Sequence, residues 1–287
     1  MSKKVILTAD STCDLTEELK AQFNITAFYP LHVLYGEQSF DDGVNIFPDD
    51  IYKRFYDTGV LPTTAAISIG EYVDYFKPFV EAGYEVIHIN LGSSLSCSHA
   101  NACAAAEMLG NVYPVDSHTL STGSGLIVLE AADRIAKGMS AAEIVAELNS
   151  LVLKSHASFI LDTLRFLAAG GRCSAVTAFG ANLLQIKPSI KVDNEGCGAM
   201  SVSKKFRGKF ASCVEEYVNY QLDLYDDIVP ERIFITHSGI YDGIVDNVRA
   251  ILEKRKYFKN IYVTRAGCTI SSHCGPNCIG VLFMTEN

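Results

Sequence analysis

Small hydroxyl residues gather where apolar runs in the first half of the sequence give way to helix-like stretches. Asp10-Ser11-Thr12 follows the apolar residues 5–9. There, free amides at a helix start and two hydroxyls are equipped to meet an anion; alternatively, Thr12 or Asp14 simply caps the helix. Pro62-Thr63-Thr64 lies ahead of Ser68, where Thr64 reads either as a ligand contact or as a turn residue. Ser93, Ser94, Ser96 and Ser98 follow the run at 85–91. Four serines within residues 93–98 exceed what a cap requires and favour a ligand, because chain ends of a parallel sheet are where ligands settle. Asp116-Ser117-His118-Thr119 reads first as a helix cap, with Gly123 and Gly125 as packing glycines. Gly170-Gly171-Arg172 reads first as a helix stop, and Ser271-Ser272-His273-Cys274-Gly275-Pro276 as a tight turn carrying one structural histidine.

No familiar catalytic signature accompanies them. The sequence lacks GxxxxGK[ST], GxGxxG after a strand, HExxH and GxSxG. Cys268, His273, Cys274 and Cys278 cluster, yet no second C-x2-C pair exists and His273 and Cys274 are adjacent, so no metal site is expected. The nine cysteines are read as free thiols of a reducing compartment. Residues 1–10 hold too few apolar residues for a signal peptide, and no run approaches the ~18 apolar residues of a membrane span, so a cytoplasmic protein is expected.

The elements that must position these residues fall into two groups. Apolar runs at 5–9, 25–34, 85–91 and 112–115 alternate with helical patterns at 14–22, from 52, after 68, 95–109 and 119–137. Ser68 with Glu71 and Ser140 with Glu143 have capping-box spacing, each followed by a helix. Alternation of this kind predicts βαβ crossovers and a mainly parallel sheet. Beyond residue 156 the pattern changes: runs at 186–192 and 199–203 flank the turn residues Asp193-Asn194-Glu195-Gly196, predicting an antiparallel hairpin. A helix at 209–224 and strands at 233–236, 261–264 and 279–283 follow. The fold class is therefore α/β with two domains: residues 1–157 with a mainly parallel sheet and flanking helices, and residues 158–287 as an α+β domain.

Composition sets the limits. The 287 residues are 48% hydrophobic and 20% charged, values of a globular chain with ample core. A formal charge of −9 leaves no broad basic surface, which argues against nucleic acid and requires that any acidic ligand be held by local donors.

Taken in order, Asp10-Ser11-Thr12-Cys13-Asp14-Leu15, Pro62-Thr63-Thr64 with Ser68-x-Gly70-Glu71, Ser93-Ser94-Leu95-Ser96, Asp116-Ser117, Leu161-Asp162-Thr163-Leu164 with Gly170-Gly171-Arg172, Ile186-Lys187-Pro188, Lys205-Phe206-Arg207-Gly208 and His273-x-Gly275-Pro276 resemble the DegV family over nearly the whole chain. The resemblance implies a bacterial cytosolic protein that encloses one long-chain fatty acid between two domains and uses no other cofactor. It also implies a separate fatty acid kinase subunit, to which the bound acid is presented for acyl phosphate formation in phospholipid synthesis, with room for transient membrane contact. Carried across, the carboxylate-holding residues match Thr64 and Ser96, with Ser93 the alternative register. His273 belongs to the ligand turn, Ser11 and Thr12 to the ligand-binding set, and Arg172 and Arg207 face the partner. Two stretches depart from the family pattern: Ala65-Ala66-Ile67-Ser68 stands where Ser-Gln-Pro-Ser is usual, and Cys97-Ser98-His99 where Gly-Thr-Tyr is usual.

Neutral hydroxyls suit a carboxylate that must be held and yet stay reactive. The tail would supply most of the affinity, at ~0.8 kcal/mol per buried CH2. Residues 126–129, 151–153 and 176–184 are candidate tunnel walls, although apolar helices of this kind are more often plain core. The competing reading is a hydrolase or transferase acting on a small carboxylic acid through Ser96 and His273; the missing nucleophile elbow and the absence of an evident acid to orient His273 count against it.

Overall fold

The computed structural model describes residues 4–174 and 186–287. Four short strands form a parallel sheet in the order β2-β1-β6-β7: β1 Val5–Asp10, β2 Ala27–Tyr29, β6 Glu85–Asn90 and β7 Val112–Asp116. Its register sets Ala9 beside Ile89 and Asn90 beside Asp116, so the polar ends of three strands meet along one edge. Helices α1 Glu17–Gln22, α3 Ile69–Glu81, α4 Ser98–Leu109, α5 Thr122–Ala136 and α6 Ala141–Leu151 belong to this half. Both expected capping boxes form: the Ser68 and Ser140 side chains accept the Glu71 and Glu143 amides, and the glutamates return a bond to the cap residues' backbone N–H.

The second sheet has six strands in the order β10-β9-β8-β13-β11-β12: β8 Ser155–Leu161, β9 Ile186–Asp193, β10 Ala199–Arg207, β11 Ile228–His237, β12 Asn260–Arg265 and β13 Cys278–Thr285. Only β11 and β12 run parallel; the expected hairpin is β9 and β10. Both faces are covered. Ile160, Ile233, Ile235, Val281 and Phe283 pack with helices α8 Phe210–Asp223 and α9 Ile244–Arg255, whereas Phe159, Leu161, Phe234 and Leu282 join the core around α5. A strand buried on both sides reads as a continuous apolar run. In β8 only Phe159-Ile160-Leu161 shows that signal, because Ser155, His156 and Ser158 interrupt the apolar residues before it, and the strand is not evident from the sequence.

Helix α5 lies between the sheets. Leu126, Ile127, Val128 and Leu129 are all 0% exposed, so apolar side chains occupy every side of the helix. Of the two readings of these residues, tunnel wall or plain core, the structure gives core, as it does for Val152, while Leu153 is exposed. The third expected wall, 176–184, lies outside the described residues. Residue 157, the expected end of the first domain, lies within β8, which follows the short turn Val152–Lys154.

A third sheet was not foreseen. The expected strand at 25–34 is two strands, β2 and β3 His32–Tyr35, because Pro30 has no N–H to continue the ladder and the chain leaves one sheet for another. β3 pairs antiparallel with β4 Gln38–Asp41 and with β5 Thr63–Ala65, setting Val33 opposite Thr64. Helix α2 Pro48–Thr58 connects β4 to β5. Helix α1 begins later than expected: Ser11–Cys13 form a tight turn, Asp14 is left-handed at φ 51°, and Thr16, rather than Thr12 or Asp14, caps the helix by accepting the Leu19 N–H at 3.3 Å.

Candidate functional site

The site is organised by helix α10 Cys268–Cys274, which sequence reading took for a turn. Two carboxylates from the first half hold its start. Asp14 accepts the Gly267 N–H at 2.8 Å, and Asp42 accepts the Cys268 and Thr269 N–H groups at 2.6 and 2.9 Å. Carboxyl oxygens there accept from amides that the helix itself cannot satisfy. Burial pushes the Asp14 carboxyl up to about 8, against the lowering effect of the Ser121 hydroxyl and Gly267 N–H. Ser11 serves the same junction: its hydroxyl donates to Asp42 at 3.3 Å and accepts the Leu31 N–H at 3.2 Å.

The other end of α10 presents His273. Its Nε2 lies 2.8 Å from Thr64 Oγ1, while Nδ1 is shut off from solvent with no partner among the described residues. Burial first, and the Arg172 charge second, together lower the imidazole from 6.5 to about 4, so the ring is neutral at pH 7. Helix α7 Arg165–Gly170 packs against this ring so closely that a Cβ on Gly170 would lie 2.1 Å from Nδ1. The Gly170-Gly171-Arg172 segment is therefore more than a helix stop: one glycine admits the histidine, and the arginine lines the cavity beside it.

That cavity runs between the two halves. Thr64, Ser96, Thr269, His273 and Arg172 form its polar lining, and Leu31, Leu91, Leu95, Leu120, Leu167, Met200 and Ile270 most of its apolar one. A second, almost wholly apolar cavity shares Leu120, Ile270 and Cys274 with it and continues past Phe159 and Leu282 between the sheets.

The expected residues separate accordingly. Thr64, Ser96, His273 and Arg172 converge on the cavity; Ser93, Ser11 and Thr12 are absent from its described walls. Ser96 Oγ lies 2.9 Å from Ser98 Oγ and accepts the Ser98 N–H at 3.2 Å. Ser93 is exposed, and its N–H donates to the Asp116 carboxylate at 3.2 Å. Thr12 is fully buried beneath the sheet edge. Arg207 ends the edge strand β10 opposite Ile186, away from the cavity wall. The enzymatic alternative finds no support in this geometry: His273 bonds to Thr64 rather than Ser96, and no carboxylate meets its Nδ1.

Sequence reading missed a buried polar cluster beneath the serine loop. Asp10 accepts from Tyr72 Oη at 2.8 Å, from the Leu91 N–H at 3.0 Å and from Asn90 Nδ2 at 3.3 Å, with His88 Nε2 at 3.0 Å. It locks the ends of β1 and β6 together where residues 91–97 depart, and so fixes the segment carrying Ser96. Burial and the Asp10 charge together drive the Tyr72 phenol well above its usual range. An aspartate at a strand end looked like an anion site; four donors converging on it show that it is the anion.

The DegV family, described as one of uncharacterised proteins, matches residues 4–286. The chain belongs to this family. A DegV domain-containing protein of Deinococcus radiodurans is 30% identical over 281 residues, covering 96% of this chain and 97% of the relative. Among solved structures, a fatty-acid-binding DegV family protein of Thermus thermophilus superposes with a TM-score of 0.88 at 26% identity, over 98% of this chain and 99% of that one. DegV of Bacillus subtilis, named as a fatty acid binding protein, does so with a TM-score of 0.84 at 26% identity, over 99% and 100%. Neither structure is named for a reaction or for a cofactor.

Proposed function

We propose that this protein binds one long-chain fatty acid in the cavity between its halves and does not itself turn it over. The observation that carries the reading is a largely apolar cavity whose polar lining brings together Thr64, Ser96 and His273, with Arg172 beside them. Hydroxyls and an uncharged imidazole can hold a carboxylate by hydrogen bonds, and the Arg172 guanidinium adds a positive charge on the same wall. The tail lies among Leu, Ile and Met side chains, where each buried CH2 contributes ~0.8 kcal/mol before association costs. The naming of the two relatives as fatty-acid-binding proteins supports the same ligand class.

The finer part of the proposal is that the bound acid is presented in the cytoplasm to a separate ATP-using kinase subunit, with Arg172 and Arg207 on the surface offered to it. The absence of a phosphate loop from the 287 residues supports a second polypeptide as the ATP-binding partner. Among the described residues no helix is long and apolar enough to cross a membrane. The test has two arms. Organic extraction and mass spectrometry of the purified protein should yield an acyl chain; no chain, and no rise in melting temperature on adding palmitate or oleate, refutes the binding site. ATP- and fatty-acid-dependent acyl phosphate formation should require a fatty acid kinase subunit and fall in Arg207→Ala with binding unchanged; product from this chain alone refutes the carrier role.

A further inference from the structure

Away from the cavity, three metal-ligating side chains meet where the two halves touch. Asp116 ends β7, His118 follows two residues later, and Cys197 sits in the turn joining β9 to β10. One ligand atom from each lies within 4.8 Å of the other two. Cys197 Sγ is 3.8 Å from His118 Nε2, and Asp116 Oδ2 is 3.9 Å from the same nitrogen. Bond lengths of ~2.3 Å to sulfur and ~2.0–2.1 Å to nitrogen, opened at a tetrahedral angle, would separate the two ligand atoms by about 3.6 Å. The observed spacing is within a few tenths of that.

Two further features prepare the set. His118 Nδ1 lies 2.8 Å from the Asn194 carbonyl oxygen, which can only accept; Nδ1 therefore carries the proton, and the Nε2 lone pair faces Cys197 and Asp116. A carbonyl or carboxylate behind the ring is the usual outer support of a metal-bound histidine. Both His118 and Cys197 have left-handed backbones, φ 56° and 53°, an uncommon conformation for such residues that turns the two side chains toward each other across the domain junction. All three are half-buried, open enough for an ion to enter.

We propose that Asp116, His118 and Cys197 form a site for a zinc-class divalent ion, with water completing its coordination, and that the ion clamps the β9–β10 turn onto the parallel sheet. Cysteine sulfur together with imidazole selects zinc or cobalt over magnesium or calcium. Binding breaks the Cys197 S–H bond, the proton leaving to solvent and the electron pair going to the metal, with no change of oxidation state. The clamp would bear on the serine loop, since Ser94 donates to the Gly196 carbonyl and its N–H to the Cys197 carbonyl at 3.1 Å, while Asp116 accepts the Ser93 N–H. The sequence signal was too dispersed to read: 79 residues separate His118 from Cys197.

The test uses the full chain, stripped with a chelator and titrated with cobalt(II) or zinc(II) alone. Wild type should take up one ion per chain, show a sulfur-to-cobalt charge-transfer band and melt at higher temperature with zinc. Cys197→Ser should lose that band, and His118→Gln should weaken binding by ~10–100-fold or more. Cys103→Ala serves as the control, because Cys103 Sγ and His99 Nε2 form a separate pair at 3.5 Å. Binding unchanged in both Cys197→Ser and His118→Gln, a cobalt complex without the sulfur band, or a band lost only in Cys103→Ala would overturn the assignment.

Discussion

Thr64 Oγ1 and His273 Nε2 lie 2.8 Å apart although 209 residues separate them in the chain. The pair joins the small three-stranded sheet of the first half to the last helix of the second, and it forms at the polar end of the interdomain cavity. The threonine hydroxyl and the imidazole thus fix each other's position across the two halves.

Removing single head-group donors should weaken fatty acid binding and leave the fold intact. Thr64→Val and Ser96→Ala keep the apolar bore but each delete one hydroxyl facing it. A hydrogen bond to a charged group is worth ~1.5–3 kcal/mol, so each variant should lose about ten- to a hundredfold in affinity. Titration of the delipidated proteins with a fluorescent fatty acid measures this; equal affinity in both variants would place the carboxylate elsewhere.

Gly170→Ala should mimic the loss of His273. The added Cβ would lie 2.1 Å from Nδ1, well inside contact distance, and the neighbouring Phe166 side chain already presses on Gly275 from the same helix. The imidazole must swing off Thr64 to make room. The expected result is weaker fatty acid binding, comparable to His273→Ala, with only a modest fall in melting temperature; binding equal to wild type would show that the ring position is immaterial.

Local chemistry was legible in the sequence and long-range chemistry was not. Ser68 with Glu71 and Ser140 with Glu143 announced their helices because three residues contain the whole interaction. The β9–β10 hairpin was equally self-contained, its turn residues lying between the two runs they join. Helix α10 escaped notice because its N-terminal amides are satisfied by Asp14 and Asp42, more than 220 residues away, rather than by a neighbouring cap. Thr64, Ser96 and His273, singled out by family resemblance, line one cavity. Spacing alone equally recommended Ser11 and Asp10, which the structure uses to bind strands and helices to one another.

Asp42 should prove more important to stability than its position after a surface hairpin suggests. It is 5% exposed and accepts two backbone N–H groups of α10 along with the Ser11 hydroxyl. Asp42→Ala strands those amides in a buried junction, at a cost of ~1–3 kcal/mol for each unsatisfied group. Asp42→Asn keeps one acceptor oxygen and should lose roughly half as much. Urea denaturation of the three proteins checks the order; an Asp42→Ala variant as stable as wild type would mean that water replaces the carboxylate.

The same junction should give stability a pH dependence of two opposing signs. His273 is lowered from its ordinary 6.5 to about 4, so between those values the unfolded chain binds a proton that the folded chain does not. Stability therefore falls as pH drops from 6.5 towards 4. Asp14 is raised from 3.8 to about 8, so over that interval the folded chain binds the extra proton, and stability falls as pH rises. From pH 4 to 6.5 the two oppose each other; from 6.5 to 8 only Asp14 acts. Denaturation curves across the upper window should therefore show wild type losing stability while Asp14→Asn stays nearly level, since the amide carries no charge to bury. In the lower window, His273→Gln should lose stability more steeply with rising pH than wild type, because the opposing histidine contribution is gone. A wild type level from pH 6.5 to 8 would show that the Ser121 hydroxyl and the Gly267 N–H hold Asp14 ionised despite its burial.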